Sequence, residues 1–199
     1  FTKEKIIDTF YTTSKYTYDS SNKMWVTEFN PDNFKRPIKL SNDLIDAKTN
    51  KKILSKGDKL NLIIAKKLQE KGLKTILTPN SQIIGKYIST DIKEKNGELL
   101  IGAGFDLTEE QLEKIIDLDT KTLDLVNIDP INKGPYLLET LKIDKNLNKS
   151  EALNDIYKVL RPGEAPSFEV AEEIFNNLYF KKERYDLSEV GRVKLNSKL

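Results

Sequence analysis

At 199 residues and 22.8 kDa the chain is long enough for one medium domain or two small ones, with a real core. It contains neither histidine nor cysteine, which excludes Cys/His zinc sites, disulfide frameworks, His-dependent nucleophilic catalysis and His- or Cys-held haem. Its 33 basic residues stand against 31 acidic ones, a net charge of +2, so any nucleic-acid contact is expected to be local.

Mean hydropathy is -0.53, and no apolar run approaches the roughly 18 residues a membrane-spanning helix needs. The chain opens Phe1-Thr2-Lys3-Glu4-Lys5, without an initiator Met or a signal-type apolar stretch, and is expected to be an excised fragment. Arginine occurs only at Arg36, Arg161, Arg184 and Arg192. Against so lysine-rich a background, a retained arginine points to a need for the planar five-donor fork.

In chain order, Ile6, Ile7 and Phe10 fall on one face of a 3.6-residue period and predict a short helix over 3–10. Tyr16 and Tyr18 alternate with polar residues, Ser20-Ser21-Asn22 is turn chemistry, and 24–29 alternates again, which reads as a hairpin. Pro31 and Pro37 bracket a loop.

An internal repeat follows. With Gly57 laid over Gly104, an offset of 47, Leu54 to Asn61 falls on Ile101 to Thr108, Leu68 on Ile115, and Lys74-Thr75-Ile76 on Lys121-Thr122-Leu123. Each copy, about 44–79 and 90–126, reads as strand, turn, strand, Gly turn, cap, helix, strand. Thr49-Asn50 and Asn96-Gly97 supply the turns. Thr108 with Gln111 is a capping box, and Asn61 is the equivalent cap. Ile64, Ala65 and Leu68 in one helix and Leu112, Ile115 and Ile116 in the other give the inward faces. Two copies are too few for a solenoid; a duplicated ββαβ-like unit sharing one small core is expected.

Asp129-Pro130 closes the second copy and Lys133-Gly134-Pro135-Tyr136 is a turn. Residues 137–143 show no clear period. Ser150 is expected to cap a helix carrying Ala152, Leu153, Ile156, Tyr157 and Leu160 on one face, stopped by Pro162-Gly163. Pro166-Ser167 opens another, with Val170, Ala171, Ile174, Phe175 and Leu178 inward. Residues 190–199 are basic and alternating. The fold class is α+β, the second part mainly helical.

The residues offer no catalytic constellation. Asp43, Asp46, Asp91, Asp117, Asp119 and Asp129 are scattered over turns and helix ends, and turn or cap duty is expected of them. Asp117-Leu118-Asp119 is not a calcium loop. Gly102-Ala103-Gly104 imitates a phosphate loop but lacks the third glycine, which favours a hairpin turn. The serines have no histidine base. No catalytic residue and no metal site is therefore assigned.

The segment Arg161-Pro162-Gly163-Glu164-Ala165-Pro166 is the most informative. A helix ends there, prolines stiffen the loop, and an arginine sits at the bend. A cation at a helix C-terminus complements the macrodipole, but lysine would do so equally, so anion recognition stands beside that reading. Arg184 beside Tyr185 has the same two readings, a surface pair with Asp186 being the structural one. Arg192, alternating with Val190 and Val193, reads as structural.

Four blocks carry a resemblance: Tyr157 to Pro166; Ala171 to Phe180; Arg184-Tyr185-Asp186-Leu187-Ser188; and Val190-Gly191-Arg192-Val193-Lys194-Leu195-Asn196. Their order and spacing resemble the β subunit of bacterial DNA-directed RNA polymerase, and Gly134-Pro135-Tyr136 with Glu139-Thr140-Leu141 extends the likeness upstream. Ala165 and Tyr179 depart from the family's usual Pro and Phe.

The resemblance implies that residues 1–11 and 134–199 are parts of the lobe, the second β domain. It implies that 12–133 is the lineage-specific insertion of proteobacterial-type enzymes. It further implies a noncatalytic part of a cytoplasmic nucleotidyltransferase, acting in transcription with β′, α, ω and sigma subunits. No cofactor belongs to this segment, since the catalytic Mg²⁺ is held elsewhere in that enzyme. The lobe of such enzymes faces downstream DNA and the promoter's displaced non-template strand, and Arg161 and Arg184 match positions that face that strand. The insertion would dock secondary-channel regulators. The competing expectation is a protein-interaction module with no DNA contact of its own.

Overall fold

The computed structural model describes residues 2–94, 97–118, 121–129, 134–146, 148–165, 167–184 and 186–197. Asn96 of the expected Asn96-Gly97 turn lies outside them, as do Asp119, Pro130, Lys133, Pro166 and Tyr185. The chain divides into two compact units, Phe1–Asp129 and Pro130–Leu199. The α+β class holds.

The first unit runs α1 (Lys3–Phe10), β1 (Thr12–Asp19), β2 (Met24–Glu28), a 3-10 turn (Pro31–Phe34), β3 (Ile38–Lys39), β4 (Leu44–Asp46), β5 (Lys52–Leu54), β6 (Lys59–Leu60), α2 (Leu62–Glu70), β7 (Thr75–Thr78), α3 (Asn80–Ile83), β8 (Ile92–Lys93), β9 (Leu99–Ile101), α4 (Glu109–Asp117) and β10 (Thr122–Asn127). A six-stranded antiparallel sheet has the order β10-β1-β2-β7-β4-β5, and β3-β6 and β8-β9 form two small ribbons.

The expected hairpin is β1–β2. The repeat is structural: shifted by 47, β5 falls on β9, α2 on α4, and the start of β7 on the start of β10. The likeness extends to single hydrogen bonds. Leu40 N donates to Asp58 O while Gly57 N donates to Leu40 O; Ile88 N donates to Phe105 O while Gly104 N donates to Ile88 O. The Gly turns close by Asp58 N to Ser55 O and Phe105 N to Gly102 O. Gly57 and Gly104 sit at φ +92° and +85°, where a side chain is strained. Asn61 and Thr108 cap their helices, Thr108 with the reciprocal Gln111 bond.

Three of these aspartates do the turn work expected of them. Asp43 accepts Lys56 N at 2.7 Å and Asp91 accepts Ala103 N at 2.7 Å, equivalent clamps on the two hairpins. Asp46 accepts from Lys48 N and the Thr49 hydroxyl.

The expectation of one shared core is corrected. Phe29, Leu44, Leu60, Ala65 and Leu73 form one cluster; Tyr16, Trp25, Ile83, Ile88, Ile101, Leu107, Leu112, Ile115, Leu123 and Leu125 form another. Residues 47 apart take equivalent places in different clusters, as Leu60 and Leu107 or Ala65 and Leu112 do. The reason is local: each helix covers its own hairpin and strand. The row Leu123, Tyr16, Thr27, Ile76 is directly paired across four strands, so these side chains share one face of the sheet. Leu123 and Tyr16 belong to one cluster and Ile76 packs on the other, which sets the clusters side by side on that face.

Partition by packing differs from the expected partition by family origin. Residues 1–11, expected with the helical part, fall in the first unit. Ile7 is fully buried, and Glu4 Oε1 accepts Asp91 N at 2.9 Å. Helix α3 has no counterpart among the expected elements. Its first residue, Asn80, accepts the Trp25 indole N–H at 3.0 Å, the partner that so buried an indole requires.

The second unit contains α5 (Tyr136–Ile143), α6 (Lys149–Leu160), α7 (Phe168–Tyr179) and α8 (Glu189–Asn196). Three readings are corrected here. The stretch 137–143 is helical, with Leu138 and Leu141 buried three residues apart. Helix α6 begins earlier than Ser150, because Asn148 caps it by accepting Glu151 N at 2.9 Å. The alternating stretch after 190 is helix α8, nucleated by Ser188, whose hydroxyl accepts Gly191 N; apolar residues at 190 and 193 suit a helix as well as a strand.

Candidate nucleic-acid interface

Helices α6 and α7 pack through Leu153, Tyr157 and Ala171, with Ile174 and Phe175 against them. This pairing fixes the turn between them. Arg161 is the C-cap of α6, its N–H still bonded to Tyr157 O at 2.8 Å. Pro162 ends the ladder and Gly163 takes φ +91°, the left-handed geometry that closes the turn. Ser167 opens α7 by accepting Val170 N, as expected.

The geometry adds a group the sequence did not disclose. The buried Tyr157 donates its hydroxyl to Glu164 Oε2 at 2.7 Å, and the same Oε2 lies 3.6 Å from Arg161 Nη1. The hydrogen bond to Glu164 pushes the phenol pKa up, burial and the Glu164 charge add to this, and Arg161 opposes it. Tyr157, Arg161 and Glu164 stand four and three residues apart, so a helix turn plus one loop brings them together; that spacing was the available signal. The guanidinium remains about half exposed, at 56%. With one loose pair to Glu164, it keeps donors free to take an anion.

Arg184 lies in the turn after α7, its N–H bonded to Lys181 O at 3.0 Å. It is exposed and, among the described residues, forms no ion pair with Asp186 or another acid. The structural reading of this residue therefore lacks its partner. Arg161 stands exposed at the C-cap of α6 and Arg184 stands exposed in the turn that follows α7, both in the second unit. Arg192 is on α8 and exposed. Among the described residues no group of three His, Cys, Asp or Glu is placed to hold a metal ion. No helix among them is long and apolar enough to cross a membrane.

Comparison with known proteins gives a family-model match, RNA polymerase Rpb2, domain 2, over residues 118–199. The DNA-directed RNA polymerase subunit beta of Ehrlichia canis is 43% identical over 196 residues. The chain belongs to the DNA-directed RNA polymerase β-subunit family. The same subunit of Rhizobium leguminosarum is 41% identical and that of Rickettsia conorii 42% identical, each over 197 residues. All three alignments take in 98% of this chain and 14% of the relative, so the chain spans about a seventh of the β subunits it matches. The Rpb2 model covers β10 and α5 to α8, hence both candidate arginines, and residues 1–117 lie outside it.

Proposed function

We propose that this chain is a noncatalytic, DNA-facing part of a cytoplasmic bacterial RNA polymerase, with Arg161 and Arg184 holding the non-template strand and adjoining downstream DNA. Family membership carries the reading. The two exposed guanidiniums at turns, that of Arg161 stiffened by Pro162, support it, since each offers a fork that can hold a phosphate bidentately or stack on an unpaired base. Residues 1–11 and 134–199 then belong to the lobe and 12–133 to an insertion that docks secondary-channel regulators. β′, α, ω and sigma would be the assembly partners, and the catalytic Mg²⁺ would be bound elsewhere in the enzyme.

The test uses the whole polymerase. Arg161→Ala or Arg184→Ala should shorten promoter-complex lifetime and flatten its salt dependence by about 0.7–0.9 in log–log slope for each phosphate no longer neutralised. Nucleotide addition on a preformed scaffold should change little. Arg→Lys should recover part of a phosphate interaction and little of a stacking one. Unchanged lifetimes in both alanine variants would overturn the assignment.

A second reading, a protein-interaction module without DNA contact, is favoured by a specific observation. The second unit exposes Val159 (82%), Phe180 (72%), Val193 (68%) and Val190 (66%), apolar surface suited to a protein neighbour. Lifetimes unaffected by either arginine would favour it.

A further inference from the structure

The two copies of the repeat share a backbone but not a charge. Residues 44–79 hold nine lysines and three acids, while 90–126 hold four lysines and ten acids. The formal charges are +6 and -6. Both copies come from one gene, so a base composition that favours lysine codons acts on each equally and cannot yield opposite signs. The reversal falls at equivalent exposed positions: Lys51 for Glu98, Lys59 for Asp106 and Lys66 for Glu113. The chain's small net charge therefore conceals a strong dipole within the first unit.

A second observation is independent of the count. In the β3–β6 ribbon Lys39 stands directly opposite Lys59. Both are exposed, and neither has an ion-pair partner among the described residues. Like charges in direct register repel and destabilise a ribbon; an anion between them removes the penalty. Lys35 and Arg36, also exposed, lie just before the same ribbon.

We propose that the basic surface of the first copy and the β3 strand paired with it, centred on Lys39, Lys59 and Lys66, binds the sugar–phosphate backbone of duplex DNA, apart from the Arg161 and Arg184 contacts. The composition selects nucleic acid over an acidic protein. Protein interfaces are depleted in lysine and enriched in aromatic residues and arginine. This surface presents mainly lysines, with Arg36 at its edge and Ile38 and Ile63 as its large exposed apolar side chains. Lysine is a hydrated point charge on a flexible stem, suited to sequence-independent phosphate contact by counterion release. The acidic second copy repels the same backbone and so orients the module on it.

Fluorescence anisotropy of the 199-residue chain with a labelled short duplex, across a salt series, tests this. Log affinity should fall linearly with log salt, and a Lys39→Gln, Lys59→Gln, Lys66→Gln variant should lose about 2.7 units of slope and at least about tenfold in affinity near 50 mM salt. The matching Lys→Arg triple should bind like the parent, and Arg161→Ala with Arg184→Ala should leave most of this binding in place, which separates the outcome from the reading above. All three positions are exposed and the Gln variant also relieves the Lys39–Lys59 repulsion, so circular dichroism melting should be unchanged or slightly raised, never lowered. Absence of salt-dependent binding, equal binding by the Gln triple, or equally tight binding of poly-L-glutamate would overturn the proposal, the last in favour of an acidic protein.

Discussion

Replacing Leu112 by Ala separates two cores from one. Leu112 is 1% exposed, on the inner face of α4 in the cluster with Trp25 and Leu123. Truncation removes buried methyl groups and leaves a cavity, about 2.7–5 kcal/mol in comparable sites. Alanine's better helix propensity returns only about 0.2 kcal/mol, and a net loss of about 3 kcal/mol follows. For a unit of this size, at roughly 3–4 °C per kcal/mol, the melting temperature of the first unit should fall by about 10 °C. Hydrogen exchange read by peptide then localises the effect. Protection should drop most around Ile83–Ile88 and Ile101–Leu125. The Phe29, Leu60 and Leu73 cluster should lose less, since it packs on its own hairpin and helix. Leu60→Ala, fully buried in that cluster, should show the reverse pattern. Equal loss of protection in both clusters from either variant would refute the two-core account, and a melting shift under about 3 °C would refute the packing estimate.

Two further outcomes follow from local geometry. Tyr157 binds its proton more tightly folded than unfolded, because Glu164 accepts from it; the stability this adds is present below the ordinary tyrosine pKa near 10 and is lost as pH rises through the raised value. Tyrosinate absorbance should show one late-titrating phenol that shifts to lower pH in Glu164→Gln. Gly57→Ala should cost about 1–2 kcal/mol in chemical denaturation although no atom lies within 4 Å of the added Cβ, because the penalty is the left-handed backbone at φ +92°; Gly57→Asn should cost less.

The sequence alone carried whatever depended on near neighbours. Glycine spacing, the caps Asn61 and Thr108, and apolar positions 47 apart are readable because a turn or a helix cap is closed by residues within about four of one another. The repeat, the first hairpin and the turn duty of Asp46 were legible for that reason, whereas the Asp43 and Asp91 clamps reach 13 and 12 residues along the chain. Arg161 and Arg184 could be singled out by type and position, and the family by blocks of sequence. Short weakly periodic segments were not legible: α5 and α8 are about two turns of helix each, their apolar spacing fits several periods, and packing or a single cap decides between them. Tertiary structure alone decided the long-range pairings. It divided the apolar residues into two clusters, placed Asn80 under the Trp25 indole, tied Asp91 to Glu4, and set Lys39 against Lys59. Each of these joins residues about 20 to 90 positions apart, where no periodicity reaches and only the register of the sheet and the volume available to each side chain fix the neighbour.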